Sequence, residues 1–266
     1  MTAQQYLSWL DVGIAALLIL VVIILAYLMR LGIAKSLIFA SLRTLVQLST
    51  IGFLLVYIFA SNHWYLVLLI LALMTLIAAI TAKKRIEQPY KGLDKDILIA
   101  VATPTTLVTA FTILLILQIK PWYTPQYIIP ILGLILGNSL TAISLCSNQL
   151  INALHNEQAT IEMMQSVGAS NWEATHPLIK NAISNGMMPT INSMMVVGLV
   201  SLPGMMTGQI LAGADPSQAA KYQIMTMFII CASSALGCMI SSWLIVSNFF
   251  DNWGCFLPPK PVVKQK

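Results

Sequence analysis

The residues able to do chemistry in this chain are few, and where they stand decides which chemistry is open to it. The three histidines, His63, His155 and His176, all fall outside the long apolar runs. A Ser–His pair or a histidine-rich metal centre at membrane depth therefore has no imidazole to use. Paired carboxylates are missing from the same runs: Asp11 stands at the start of the first, and Asp215 lies in a connection between two others. Cys146, Cys231, Cys238 and Cys255 form no CxxC pair. Cys231 and Cys238, on one helical face, read as small apolar fillers rather than ligands. A retinal-type protein would need a Schiff-base lysine in its last span, and residues 223–247 contain none. The phosphate-cradling pattern GxxxxGK[ST] is also missing, so the chain is not expected to hydrolyse ATP or to hold a cofactor of its own.

Apart from Asp11 at the edge of the first run and Arg43 in the second, the polar groups within the apolar runs are neutral. Asn138, Ser139, Asn192, Ser201 and Gln209 are the oxygen-bearing ones, accompanied by methionines. Eleven of the 14 methionines fall between Met163 and Met239. Thioethers can bind soft cations, and they also serve as adaptable filler. The run 127–151 carries Gly133, Gly137, Thr141, Ser144 and Asn148 within a helical sector of about 80°. Gly133 and Gly137 form GxxxG, which fits helix packing within the chain, a dimer seam or a transport path. The run 189–212 is interrupted by Pro203-Gly204, so a kink or break is expected there. Membranes tolerate broken helices where protein or a water-filled cavity satisfies the freed backbone. Asn138, Ser139, Asn192, Met194, Ser201, Pro203, Gly204, Met205 and Gln209 are accordingly the candidates for a pathway or gate.

The elements that must position these residues follow from composition. Of 266 residues, 58% are hydrophobic and only 9% are charged, against roughly 25% charged in soluble domains. The mean hydropathy is +0.83. An all-α, multi-pass membrane protein fits, organised as one transmembrane domain over 1–266. Runs long enough to span are expected at about 10–29, 37–60, 64–82, 97–119, 127–151, 189–212 and 223–247, seven in all. One set of connections holds Arg30 and Lys35, then Lys83, Lys84, Arg85, Lys91 and Lys95, then Lys180, then Lys260, Lys264 and Lys266. The alternate set holds only Lys120 and Lys221. The positive-inside rule then puts the N-terminus outside and the C-terminus in the cytoplasm. The segment before the first run has no basic residue, so the first span is expected to be retained rather than cleaved as a signal. Arg43, two turns into the second run, can snorkel to the interface or meet a buried partner such as Gln47. The net charge of +5 is explained by these connections, and no nucleic-acid partner is expected.

Between two apolar stretches lies one polar island, His155 to Lys180, cytoplasmic by the same charge count. Ile161 to Val167 has helix-forming composition, Gly168-Ala169-Ser170 makes a turn, and Ser170 or Asn171 can cap a second helix. Trp172, Leu178 and Ile179 give that second helix an apolar edge. The island, about 152–188 with its flanks, is the part of the chain best suited to meet another protein.

Within it, Glu162-Met163-Met164, three further residues and Gly168-Ala169 resemble the EAA---G loop of ABC-transporter membrane subunits, with Met163 and Met164 in place of the alanines. In that superfamily the loop forms a coupling helix docked on an ATP-binding-cassette ATPase. A longer match covers nearly the whole chain. LGLILGNSLTAISL (132–145), NSMMVVGLVSLPGMMTGQILAGADP (192–216) and KYQIM (221–225) resemble a small permease family. Its bacterial members include FetB, an iron-export permease, and its plant members include aluminium-tolerance proteins. The resemblance implies a plasma-membrane permease (bacterial inner membrane) exporting iron or a metal-related solute. It also implies a separate ATPase subunit binding ATP and magnesium, and a second copy of this chain as partner. Glu162, Met163, Met164, Gly168 and Ala169 would couple to the ATPase; Gly133 and Gly137 would serve packing or the dimer face. The alternatives are an ABC exporter of an organic or nucleotide-sugar-like solute, and a membrane sensor or scaffold without transport.

Overall fold

The computed structural model describes residues 8–60, 63–251 and 253–259. Lys260, Lys264 and Lys266 of the basic set, and the segment before Ser8, lie outside the described residues. Two compact units divide the chain, Met1–Asn62 and His63–Lys266.

The first unit holds α1 (Trp9–Leu28) and α2 (Ala34–Ala60). Helix α1 starts at a reciprocal cap: the Leu10 N–H donates to Ser8 Oγ at 3.1 Å, and the Ser8 N–H to Asp11 Oδ2 at 2.8 Å. The turn into α2 uses left-handed backbone at Arg30 and Gly32. Within α2, Ser41, Thr44 and Thr50 return their hydroxyls to carbonyls one turn back, the usual fate of a hydroxyl with no water to meet. Arg43 is exposed.

The second unit contains α3 (Trp64–Lys84), α4 (Leu93–Phe111, continued as a π-helical turn to Ile116), α5 (Pro125–Asn156), α6 (Gln158–Ser166), α7 (Asn171–Val196), α8 (Gly204–Leu211) and α9 (Pro216–Asn248). Helix α5 is the hub, packed against α3, α4, α7 and α9. Its Ala142, Ile143, Cys146, Leu150, Ile151 and Leu154 are buried in one core with Ala100 and Val101 of α4, Ala182 of α7, and Cys238 and Ile245 of α9. The chain is thus an all-α, multi-pass membrane protein. Six helical stretches among the described residues are long and apolar enough to span: Leu10–Leu28, Ala34–Phe59, Trp64–Lys84, Leu93–Ile116, Pro125–Asn156 and Pro216–Asn248.

The expected span 189–212 is not one helix. Its first part is the end of α7, which begins in the island and runs unbroken to Val196; its last part is α8. The break covers Val197–Pro203, so the expected Pro203-Gly204 stands at its downstream edge and the departure begins six residues earlier. Proline disfavours helical backbone at the residue before it, and Gly198 turns the chain at φ +85°. The loop closes on itself through the Gly198 N–H, which donates to the Ser201 carbonyl at 2.9 Å.

Two close helix crossings hold the hub together. A Cβ on Gly186 of α7 would stand 2.7 Å from Cys146 Cβ and 2.9 Å from the Ala142 carbonyl of α5. A Cβ on Gly237 of α9 would stand 2.5 Å from Ile143 Cδ1 and 3.2 Å from the Ala100 carbonyl of α4. Pro104 deprives that Ala100 carbonyl of its helical donor, so the α9 backbone comes in where α4 has an acceptor to spare. Of the GxxxG pair, Gly133 meets Met74 of α3, where a Cβ would be 3.2 Å from the methionine's end; Gly137 meets nothing within 4 Å. Gly186→Val should therefore cost ~1–3 kcal/mol through forced backbone separation, read as a lowered thermal midpoint in detergent. Gly137→Ala should leave that midpoint unchanged or raise it slightly.

Candidate functional site

Two places in the second unit gather the sequence-derived candidates: the helix-turn-helix of the island, and a cavity beside the break between α7 and α8.

The island is built as a lever end. Ile161 is buried and Met164 packs against the core, while Met163, Val167 and Trp172 are exposed. Helix α6 ends in a Schellman turn: the Ala169 N–H donates to the Met164 carbonyl and the Gly168 N–H to the Gln165 carbonyl, both at 3.0 Å. Gly168 sits at φ +93°, where a side chain is strained. The spacing from Glu162 to Gly168 is thus that of an exposed carboxylate just under two turns before the glycine that stops the helix. Glu162 accepts from Gln158 Nε2 at 2.7 Å. Helix α7 opens on a second reciprocal cap, with the Glu173 N–H donating to Ser170 Oγ at 3.3 Å and the Ser170 N–H to Glu173 Oε2 at 2.8 Å. Those bonds from Ser170 hold the Glu173 carboxyl below its ordinary range.

Gln165 ties this end to the C-terminal segment. Its Nε2 donates to Asn171 Oδ1 at 2.8 Å and to the Gly254 carbonyl at 2.7 Å, and its Oε1 accepts from the Phe256 N–H at 3.3 Å. The segment is itself closed around Asp251, whose Oδ1 accepts from the Trp253 and Cys255 N–H groups. Nearby, the Tyr90 hydroxyl and Asn248 Nδ2 both donate to Asp96 Oδ2. Burial first, and the Asp96 carboxylate second, push the Tyr90 hydroxyl above the usual tyrosine range. Arg85 donates to Thr141 and the Glu87 N–H to Asn148, so the lower part of the small-residue stripe on α5 faces the segment after α3. The ends of α3, α5 and α9 and the starts of α4 and α7 therefore lie together, with Lys83, Lys84, Arg85, Lys91 and Lys95 among them.

The cavity, about 200 Å³, is lined by Leu134 and Asn138 of α5, Thr190 and Ser193 of α7, Pro203, Gly204 and Met205 at the start of α8, and Gln223, Thr226, Met227 and Ile230 of α9. Of the sequence-derived pathway candidates it brings together Asn138, Pro203, Gly204 and Met205. Ser139 points elsewhere: its hydroxyl is buried against Ser233 of α9 at 3.0 Å. Asn192 and Ser201 are exposed, Met194 is half-buried, and none of the three lines the cavity. Gln209 is half-buried on α8 with an unpartnered oxygen. Asn138 Nδ2 donates to the Leu134 carbonyl at 2.8 Å, and the Thr226 hydroxyl to the Tyr222 carbonyl at 2.8 Å. Gln223, 6% exposed, carries an Oε1 with no partner.

A family model described as "Uncharacterised protein family (UPF0014)" matches residues 9–250. The chain belongs to the UPF0014 family. A UPF0014 membrane protein of Synechocystis sp. is 36% identical, over 92% of this chain and 95% of its own length. The "Probable iron export permease protein FetB" of Escherichia coli is 35% identical, over 91% and 92%. The protein ALUMINUM SENSITIVE 3 of Arabidopsis thaliana is 31% identical, over 89% and 85%. No solved structure matches.

Reading the UPF0014 sequence alone passes over Gln165, Gln223 and the Tyr90–Asp96–Asn248 cluster. Gln165 and Gln223 are ordinary in type and spacing; the Gln165 partners in the C-terminal segment lie about 90 residues away, and the Gln223 Oε1 has none. Asp96 alone had a signal, an acidic residue at the edge of an apolar run. Gln165→Leu removes all three bonds to Asn171 and the C-terminal segment. It should lower stability by about 1–3 kcal/mol and speed limited proteolysis after Asp251, measured by mass spectrometry of the released end.

Proposed function

We propose that this UPF0014 membrane protein is the permease subunit of an ABC-type transporter, not itself an enzyme. It carries a metal or metal-related solute outward, driven by ATP hydrolysed with magnesium in a separate ATP-binding-cassette subunit. Two copies of the chain would pair over two ATPases. The basic ends of α3 to α9 would face the cytoplasm, the N-terminus the outside, and the membrane would be the bacterial inner membrane.

One observation carries the reading. Helix α7 is continuous from the exposed Trp172 beside the Gly168 turn to Thr190 and Ser193 in the wall of the cavity. A continuous helix of 26 residues, with Pro177 and Pro189 inside it, would carry displacement of its outer end to the break at its inner end. The exposed apolar set Met163, Val167 and Trp172 suits a groove on a partner, with Glu162 as its charged contact. The name of the Escherichia coli relative supports an iron-exporting permease, and the neutral lining of the cavity fits a gate more than a tight chelating site.

The test is whether the chain co-purifies with a separate P-loop ATPase subunit, followed by ATP-driven iron flux in vesicles. Glu162→Lys reverses the contact charge. Gly168→Pro cannot adopt φ +93° and loses the N–H donated to Gln165. Each should reduce coupled ATPase activity by about tenfold, the size of a lost interface hot spot, while the chain still inserts in the membrane. Unchanged complex formation and coupled activity in both would overturn the coupling role. A wild-type chain that captures no ATPase would favour a sensor or scaffold, and organic flux without metal flux would reassign the cargo.

A further inference from the structure

Helix α8 opens onto the cavity without a cap. Its N-cap, Pro203, makes no side-chain bond to it, and the first backbone bond into the helix runs from the Thr207 N–H to the Pro203 carbonyl at 3.0 Å. Among the described residues, the N–H groups of Gly204, Met205 and Met206 have no acceptor, and Gly204 and Met205 stand in the cavity wall. Such N–H groups carry the positive end of a helix and point out along its axis. On the α7 side of the break the carbonyls are taken: Ser193 accepts from the Val197 N–H, and Val196 from those of Leu199 and Val200. Two side chains in the same wall add donors, Gln223, 6% exposed, and Thr190, 8% exposed. Gln223 Oε1 is wholly enclosed by protein, so the part of the amide that reaches the cavity is Nε2, whose hydrogens have no acceptor. The Thr190 hydroxyl also has no partner, whereas Ser193 on the same helix returns its hydroxyl to the Pro189 carbonyl.

A wall with unmet donors selects a solute with strong acceptors. The acceptors in the wall are the Ser193 and Thr226 hydroxyl oxygens and the Asn138 amide oxygen; none is charged, and no lining residue is ionisable. A bare hard cation would need anionic oxygens and finds none there. A carboxylate matches better. Its two oxygens offer about four lone-pair sites, and a hydrogen bond to a charged acceptor is about twice as strong as a neutral one. Broken membrane helices bind anionic groups in this way, with the N-terminus of a half-helix aimed at the charge. A phosphate, with more charge on its oxygens, is ordinarily met by Arg or Lys, which this wall lacks. The volume of about 200 Å³, or about seven waters at about 30 Å³ each, suits a small organic acid.

We propose that this cavity is a carboxylate-binding site, in which the Gly204 and Met205 N–H groups, Gln223 Nε2 and the Thr190 hydroxyl donate to the carboxylate of a small organic acid. The inference rests on the permease reading and names the chemistry by which the metal-related solute is recognised: the solute presents a carboxylate. Neutral donors without a paired cation hold it weakly, and weak retention is what a passage requires.

The test is equilibrium dialysis of radiolabelled malonate against the purified full chain in detergent, which needs neither ATPase nor flux. Malonamide, which keeps the acceptor oxygens without the charge, and inorganic phosphate are the competitors. Malonate should bind weakly, and neither competitor should displace it at equal concentration. Gly204→Pro deletes one N–H of the helix end at a position that suits proline, and a Cβ there meets nothing within 4 Å. It should weaken malonate binding by about tenfold, the loss of one charge-assisted hydrogen bond, with the thermal midpoint of the free protein unchanged or higher. Gln223→Leu should weaken binding by a similar factor, while Thr190→Ser, which keeps the hydroxyl, should retain it. Equal binding by wild type, Gly204→Pro and Gln223→Leu would overturn the proposal. So would malonamide binding as tightly as malonate, phosphate binding more tightly than malonate, or no malonate binding at all. The permease reading fails separately, on the vesicle flux and ATPase capture.

Discussion

Lipid offers no hydrogen bonds, so every backbone N–H and C=O at depth must find its partner within the protein. Most of this chain meets that demand by staying helical. The hydroxyls of Thr75, Thr105, Thr106 and Thr112 return to carbonyls three or four residues back. Within the apolar stretch 189–212 the chain departs from helix at Val197–Pro203. There the backbone bonds to itself: Val197 N–H to Ser193, Val200 N–H to Val196, Gly198 N–H to Ser201, and Thr207 N–H to Pro203. Irregular backbone at such a place is tolerated beside protein or a polar cavity, and the cavity with Asn138, Gln223 and Thr226 is what lies next to it.

The same constraint explains how the hub is assembled. With no water to expel between helices, association depends on close approach. Gly186 and Gly237 provide it, each admitting a neighbouring helix to a distance a side chain would forbid. Helix α5 is thereby fixed to both α7 and α9. The buried serines 139, 233 and 234 add a hydroxyl contact on the same seam. Because α5 and α7 are also the helices that flank α6, the exposed island and the cavity are the two ends of one packed structure.

Electrostatics are concentrated at the island end. The Tyr90–Asp96–Asn248 cluster joins the start of α4 to the end of α9 around a single carboxylate, and a buried carboxylate with two donors specifies a geometry more than it adds stability. Lys83 and Asp94, 2.5 Å apart at the surface, contribute little by comparison. Gln165 extends the same ordering to the C-terminal segment, so the face that would meet a partner is composed of the α6–α7 turn together with residues 253–256.

Composition and spacing alone determined the membrane class, the helical fold, the positions of most spans, the helix-turn-helix of the island with its glycine stop, and the presence of a break in 189–212. These are local or additive: hydropathy sums over a window, and a cap or a left-handed glycine is set by its own neighbours. Tertiary structure alone decided that the break opens as early as Val197, that α7 continues from island to cavity, and that Gly186 and Gly237 are the close-contact glycines where GxxxG suggested Gly133 and Gly137. It also separated Asn138, Pro203, Gly204 and Met205, which meet at one cavity, from Ser139, which does not, and added Gln223 to them. A helical face is known from spacing, but what it faces depends on which helices pack against it, and those partners come from parts of the chain dozens of residues away.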